Sequence, residues 1–272
     1  MIFILGGNGF VGSAYSRLFS RLGIGHKVIT KSNFEEFRGS SCDVLINANG
    51  NSKKFLSDKD PLLDFDLSVR SVLESLEAIK SKIYIHLSSG DVYPDTSSFE
   101  KTDEDSFIDV ELLSRYGLNK FLAENIIRGV HKKYLIIRMG GFVGPGIKKN
   151  AIFDMLTNSP IWLSPESELQ FISTDTAASL VWSLLQKGLL NQVVNIGGRG
   201  LVHLGNLHKR IGSESIFKPS APVVRYELKT SKIQSLLGLS LPKSDDEVDN
   251  FFLAWPFGGG GGECLRMVEP KV

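Results

Sequence analysis

Along the first half of the chain, short apolar runs alternate with stretches of helical periodicity. Ile2-Phe3-Ile4-Leu5 is an apolar run that breaks into glycine and passes directly into a helical stretch, Ser13 to Leu22. His26 to Thr30, Asp43 to Ala48, Ile83 to Leu87 and Tyr134 to Arg138 read as four further strands. Asp60-Pro61 starts a helix, with the proline in its first turn. Leu62, Phe65, Val69, Val72, Leu73, Leu76 and Ile79 then recur at helical spacing, which predicts one helix to Lys80 with a single apolar face. Pro94 to Asp109 is polar and reads as a loop, and Leu113 to Val130 as a second long helix. Strict alternation of strand and helix predicts an α/β fold, a doubly wound parallel sheet with helices on both faces.

The pattern loosens after Gly140. Gly141 to Gly146 is rich in turn residues, and Ala151 to Asn158 reads as a short helix. Pro160 to Leu163, Gln170 to Ile172 and Val223 to Lys229 are short strand candidates. Thr174-Asp175 caps a helix over 176–187, and Gln192 to Ile196 is a strand closed by Gly197-Gly198. Leu204 to Ile211, Ser231 to Leu237 and Asp245 to Trp255 complete the helices. The expected organisation is a sheet domain over 1–140, rejoined at about 171–197, and a smaller C-terminal substrate lobe from about 141–170 and 198–255. The tail, 256–272, contains the glycine run Gly258 to Gly262 and reads as a flexible, non-native extension.

Composition narrows the function classes. The chain has 272 residues, with 31 basic and 30 acidic side chains and a net charge of +1, which gives no basic patch for nucleic acid or acidic lipid. Cys42 and Cys264 form neither a disulfide framework nor a metal-ligand spacing, so no metal is expected and the setting is expected to be reducing and cytoplasmic. The opening apolar run lacks a basic flank, so a signal peptide is not expected, and no apolar run is long enough to span a bilayer.

The glycines after the first strand fall as G-x-x-G-x-x-G: Gly6, Gly9 and Gly12, with Asn8, Phe10 and Val11 between them. Gly6 permits a tight strand-to-helix turn, Gly9 lets backbone approach a pyrophosphate, and Gly12 lets the helix pack on the strand. The free N–H groups and positive dipole end of the helix then suit phosphate. This is the dinucleotide-binding arrangement of a Rossmann-type sheet. Ligands of such sheets lie beyond the carboxyl ends of the strands, where Ser88-Ser89-Gly90-Asp91-Val92-Tyr93 leaves the fourth strand. Downstream, Tyr116 and Lys120 stand four apart near the start of a helix, on one face. An ammonium beside a phenol favours the phenolate, so the Tyr116 pKa is expected to fall. A phenol so tuned exchanges a proton with a carbinol or carbonyl oxygen, and Ser89 can hold the same oxygen.

These three motifs, in this order, resemble the extended short-chain dehydrogenase/reductase family, its NAD(P)-dependent epimerase/dehydratase group. The resemblance runs to about Trp255. It implies Tyr116 as acid/base, Lys120 as the residue that holds the nicotinamide ribose and lowers the Tyr116 pKa, and Ser89 rather than Ser88 as the catalytic hydroxyl. It also implies Ala48 and Asn49 beside the cofactor. Members that prefer NAD often carry Asp after the second strand; here the positions are Lys31 and Ser32, which would accept a 2′-phosphate, so NADP(H) is favoured over NAD(H). Ser68 and Gly141 replace asparagines common in the family, and 168–172 lacks an arginine common in nucleotide-sugar enzymes. Asp91 matches an acidic residue that serves proton transfer at carbon in dehydratases, but Gly90 stands where they tend to have its acidic partner. The expectation is therefore that Asp91 is not a carbon base. The expected function is an NADPH-using keto-sugar reductase acting on a nucleotide sugar, as a homodimer, with an epimerase or dehydratase as the alternative. A non-catalytic dinucleotide sensor, the reading from another class, keeps the glycines but tends to lose the Tyr and Lys that this chain retains.

Overall fold

The computed structural model describes residues 1–255. The tail 256–272, with its glycine run and Cys264, lies outside the described residues. The elements in chain order begin β1 (Ile2–Leu5), α1 (Gly12–Arg21), β2 (His26–Ile29), β3 (Ser41–Asn47), α2 (Lys54–Lys59), α3 (Pro61–Phe65) and α4 (Ser71–Ala78). They continue β4 (Lys80–Leu87), α5 (Arg115–Val130), β5 (Tyr134–Met139), β6 (Gly141–Val143), α6 (Ala151–Leu156), β7 (Glu168–Leu169), β8 (Phe171–Ser173) and α7 (Thr174–Gln186). The last are β9 (Gln192–Ile196), β10 (Val202–His203), α8 (Leu204–Arg210), β11 (Arg225–Tyr226), α9 (Ser231–Leu237) and α10 (Ser244–Ala254).

Six strands form one parallel sheet in the order β2-β1-β3-β4-β5-β9. Because side chains alternate along a strand, a sheet buried on both faces needs apolar residues at nearly every position. Ile2, Ile4, Val44, Ile46, Ile85 and Leu87 pack with Ala14, Leu18 and Leu184 on one face. Phe3, Leu5, Leu45 and Tyr84 pack with Val72, Ala123 and Ile127 on the other. Ile233, Leu237 and Leu241 also close on the first of these cores. A separate core gathers Val143, Ile152, Met155, Phe171, Leu204, Val248 and Phe251, and the ring of Phe10 touches both. Two small sheets, β10-β7-β11 and β6-β8, accompany it.

Three local expectations are corrected. The segment 61–78 is not one regular helix: a π turn over Asp66–Arg70 joins α3 to α4. A π turn takes an extra residue and rotates the helix face beyond it. The two sides of the turn do not share one apolar face: Leu62, Phe65 and Leu73 are exposed, while Asp64, Ser68 and Ser75 are buried. The strand expected over 160–163 is reduced to an isolated bridge between Ile161 and Phe217, since Pro160 has no N–H for a ladder. Strand character over 223–229 is confined to β11.

Candidate active site

The strand order reverses between β1 and β3, and the glycine turn lies at that switch point. Gly6 has φ +77°, and a β-carbon there would lie 3.0 Å from the Ala48 carbonyl carbon. A β-carbon on Gly12 would overlap the Gly6 carbonyl. Any side chain at Gly12 would therefore push α1 off the turn. Asn8 and Gly9 are exposed at the mouth, and Phe10 and Val11 lead into α1. This backbone cradle fits a dinucleotide pyrophosphate. Ala48 and Asn49 follow β3, and the Asn49 N–H is held by Asn47 Oδ1 at 2.9 Å. Lys31 and Ser32 are exposed beyond β2, where the Thr30 and Ser32 hydroxyls meet at 2.8 Å and Asn33 accepts the Thr30 N–H.

The loop after β3 connects this cradle to the chemistry. The Tyr116 hydroxyl donates to the Asn51 carbonyl at 3.2 Å, and the Lys120 ammonium lies against Gly50. Lys120 Nζ is 5.4 Å from the Tyr116 ring centre. Helix α5 begins where the Ser114 side chain accepts the Gly117 N–H, an N-cap that fixes the first turn and thus Tyr116. Gly117 is pressed on the Asp91 carbonyl, where a β-carbon would not fit. The two serines diverge. Ser88 turns inward to Glu124 at 2.5 Å, whereas Ser89 lies within reach of Tyr116 and donates to Asp91 Oδ2 at 2.9 Å. Ser89, Tyr116 and Lys120 therefore meet at the carboxyl edge of the sheet.

The electrostatics correct one expectation. The Tyr116 hydroxyl is raised well above its usual range, by burial first and by the Asp91 charge second. Burial and the nearby carboxylates, rather than the Lys120 ammonium, set the direction. Lys120 is itself pushed down to about 8, by burial first, against the pull of Asp64 and Asp91. His86, buried on β4, is pushed down to about 3 by burial and then by Lys120, and it is neutral at ordinary pH. Asp91 is a bound carboxylate: Lys54 Nζ sits 2.6 Å from it.

Three residues of the site were not legible in the sequence. Asp64 is fully buried and accepts from Asn51 Nδ2 (2.7 Å), Asn119 Nδ2 (2.8 Å) and Ser68 Oγ (3.2 Å), tying the β3 exit loop to α5. Lys54, on α2, pairs with Asp91. Tyr226, on β11, brings its hydroxyl to the Ser89–Gly90 loop. None of the three lies in a spaced motif; an acidic residue inside a predicted helix was the one available signal, for Asp64. Among the described residues, no group of three or more His, Cys, Asp or Glu could hold a metal ion. No helix there is long and apolar enough to cross a membrane.

The model of the NAD dependent epimerase/dehydratase family matches residues 2–197. The chain belongs to that family. This epimerase/dehydratase-family chain is an NAD(P)-dependent enzyme of short-chain dehydrogenase/reductase type. No curated protein matches it by sequence. Among solved structures it is similar to a UDP-galactose 4-epimerase, at 17% identity over 93% of this chain and 99% of that one, with a TM-score of 0.74. It is similar to UDP-glucuronic acid 4-epimerase from Bacillus cereus in complex with UDP-glucuronic acid and NAD, at 19% identity, 92% and 97% coverage and a TM-score of 0.74. It is also similar to UDP-glucose 4-epimerase of Thermotoga maritima, at 18% identity, 93% and 98% coverage and a TM-score of 0.71. At these identities the likeness speaks for the fold.

Proposed function

We propose that the enzyme interconverts a carbonyl and a hydroxyl on a nucleotide-linked sugar, and that it runs as an NADPH-using keto-sugar reductase. The meeting of Ser89, Tyr116 and Lys120 beside the glycine turn carries the reading. Gly6, Asn8, Gly9, Phe10, Val11 and Gly12 would hold the pyrophosphate, Ala48 and Asn49 the middle of the dinucleotide, and Lys31 and Ser32 a 2′-phosphate. When bound, the dinucleotide supplies or accepts the hydride at the sugar carbon. Ser89 hydrogen-bonds the sugar oxygen and fixes it. Tyr116, kept protonated by burial, gives that oxygen its proton, which is the direction a reduction needs. The Lys120 ammonium supports the phenolate left behind and binds the ribose. The substrate would lie between the sheet domain and the lobe built from about 141–170 and 198–255.

A second reading, epimerisation, is favoured by the resemblance in fold to UDP-sugar 4-epimerases. A panel of UDP- and dTDP-linked sugars and their 4-keto forms, followed by NADPH absorbance and by NMR of the product, separates the two. Stoichiometric oxidation of NADPH supports reduction, and an isomerised sugar with no net cofactor change supports epimerisation. If the panel gives no turnover and no binding, the nucleotide-sugar reading falls.

NADP(H) is expected to bind more tightly than NAD(H). Lys31→Ala is expected to weaken NADP(H) by about tenfold, the scale of one charge-assisted hydrogen bond, and to leave NAD(H) unchanged. Calorimetric titration of both cofactors checks this, and equal affinities insensitive to the substitution would overturn it. For Asp91, bound by Lys54 and Ser89, the expectation is that it removes no proton from carbon. Turnover in D₂O is then expected to leave the ring carbons free of deuterium in the product NMR spectrum. Ring deuterium that Asp91→Asn abolishes, with redox turnover surviving, would make it a carbon base. Exposed Leu62, Leu63, Phe65 and Leu73 along 61–78 support assembly as a homodimer, which light scattering of Leu62→Glu against the wild type would test. The reducing, cytoplasmic setting read from the cysteines belongs to the same proposal.

A further inference from the structure

Tyr226 is distant in sequence from every motif of the site, yet its hydroxyl arrives at the reacting centre. Strand β11 is held beside β7 by the Gln170 N–H on the Tyr226 carbonyl (3.0 Å) and against the 94–98 segment by the Glu227 N–H on the Thr96 carbonyl (2.9 Å). The Gln170 side chain grips Leu228 from both directions, donating to its carbonyl at 3.1 Å and accepting its N–H at 3.2 Å. This anchoring presses Tyr226 and Leu228 onto Gly90. A β-carbon at Gly90 would collide with the Tyr226 hydroxyl and with a Leu228 methyl. The absence of a side chain at 90 is thus what admits the phenol.

The surroundings of that phenol are those of the site itself. It lies against the Ser89–Gly90 turn, and the Asp91 carboxylate acts on it. Lys54 Nζ stands 5.4 Å from the Tyr226 ring centre while pairing with Asp91. A serine hydroxyl has one proton and two lone pairs. Ser89 gives its proton to Asp91 and receives the Asp91 N–H at 3.2 Å. Ser89 therefore needs a second donor beside it if both a substrate oxygen and Asp91 are to be satisfied. The Tyr226 hydroxyl is positioned to be that donor, and burial holds it protonated.

We propose that Tyr226 is a catalytic residue of the C-terminal lobe, which donates a hydrogen bond, beside the Ser89 hydroxyl whose proton goes to Asp91, to an oxygen at or next to the reacting carbon of the sugar. The proposal rests on the reading of the site as one for a nucleotide-linked sugar. The lobe thereby senses the oxygen pattern of the sugar where the reaction occurs. Gly90 is the residue that keeps the place open.

The test compares wild type, Tyr116→Phe, Tyr226→Phe and Gly90→Ala in turnover of the best substrate from the UDP- and dTDP-sugar panel. It adds calorimetric affinity for that sugar nucleotide and for NADP(H), with melting temperature as a control for folding. Tyr226→Phe keeps the ring under Lys54 and removes only the hydroxyl. It is expected to lower kcat/KM by about tenfold or more, with weaker sugar-nucleotide affinity, unchanged NADP(H) affinity and an unchanged melting temperature. Gly90→Ala, which displaces a chemically intact phenol, is expected to reproduce the kinetic loss. If Tyr226→Phe retains kcat, KM and sugar-nucleotide affinity while Tyr116→Phe is inactive, the proposal fails and the wider reading stands. If wild type neither binds nor turns over any member of the panel, the wider reading fails and takes the proposal with it.

Discussion

Tyr116→Phe is expected to lower turnover by ~10²–10⁴-fold, the usual cost of losing a general acid/base, while NAD(P)H affinity stays nearly unchanged. The ring packs in a buried position next to Lys120, so phenylalanine fills the same space and the fold has no reason to respond. What is lost is the proton and the bond to the Asn51 carbonyl. Single-turnover absorbance with preloaded NADPH isolates the chemical step, and fluorescence titration measures the cofactor affinity. Full rate in the variant would remove Tyr116 from the mechanism. The pH profile has a predicted direction as well. Lys120 is pushed down to about 8, so its charge fades as pH rises through that value. Reverse turnover, which needs the phenolate, is expected to lose this support above about pH 8, and Lys120→Met should abolish that limb of the profile.

The second large effect concerns stability. Arg138 and Glu124 form an ion pair with side chains 2% and 0% exposed, at 2.8 Å, linking β5 to α5. Ser88 adds a bond to the same carboxylate, and the guanidinium stacks 4.9 Å from the Tyr93 ring centre. Removing one partner of such a pair leaves an uncompensated buried charge. Glu124→Ala is therefore expected to cost ~3–5 kcal/mol of unfolding free energy. Replacing both, as Glu124→Leu with Arg138→Met, is expected to restore most of that loss, because a well-packed apolar pair avoids both desolvation penalties. Urea denaturation of the three proteins measures this. A Glu124→Ala variant as stable as wild type would show that the pair carries no such strain.

The parts of this protein that were readable from sequence are those where backbone geometry or strand burial restricts the residue type. Gly6 and Gly12 announce a turn because their β-carbons would strike Ala48 and Gly6. The parallel sheet announces itself because its central strands are apolar on both faces. Ser89, Tyr116 and Lys120 could be named as candidates because each follows an element whose place in the sheet is set by the alternation of strand and helix. Elsewhere the pattern misled for physical reasons. The apolar stripe of 61–79 has the spacing of one regular helix, but a π turn at Asp66–Arg70 breaks its phase, and Leu62 is exposed while Asp64 is buried. The Tyr116 acidity was read from its cationic neighbour, but desolvation dominates and is invisible without the burial. Tyr226 carries no local signature: a two-residue strand brings it to Gly90 from half the chain away.

The contact of Gly117 with the Asp91 carbonyl has a consequence for how the enzyme can change. Main chain rests on main chain there, one residue from Tyr116 and two from Ser89. The gap between phenol and serine is accordingly gauged by a hard stop of peptide against peptide, with no rotamer in between to drift. Substitutions away from this contact can then reshape what enters without resetting the spacing of the reactive pair. Lineages descended from such a chain would diversify in the substrate they accept well before they altered the bond they make or break.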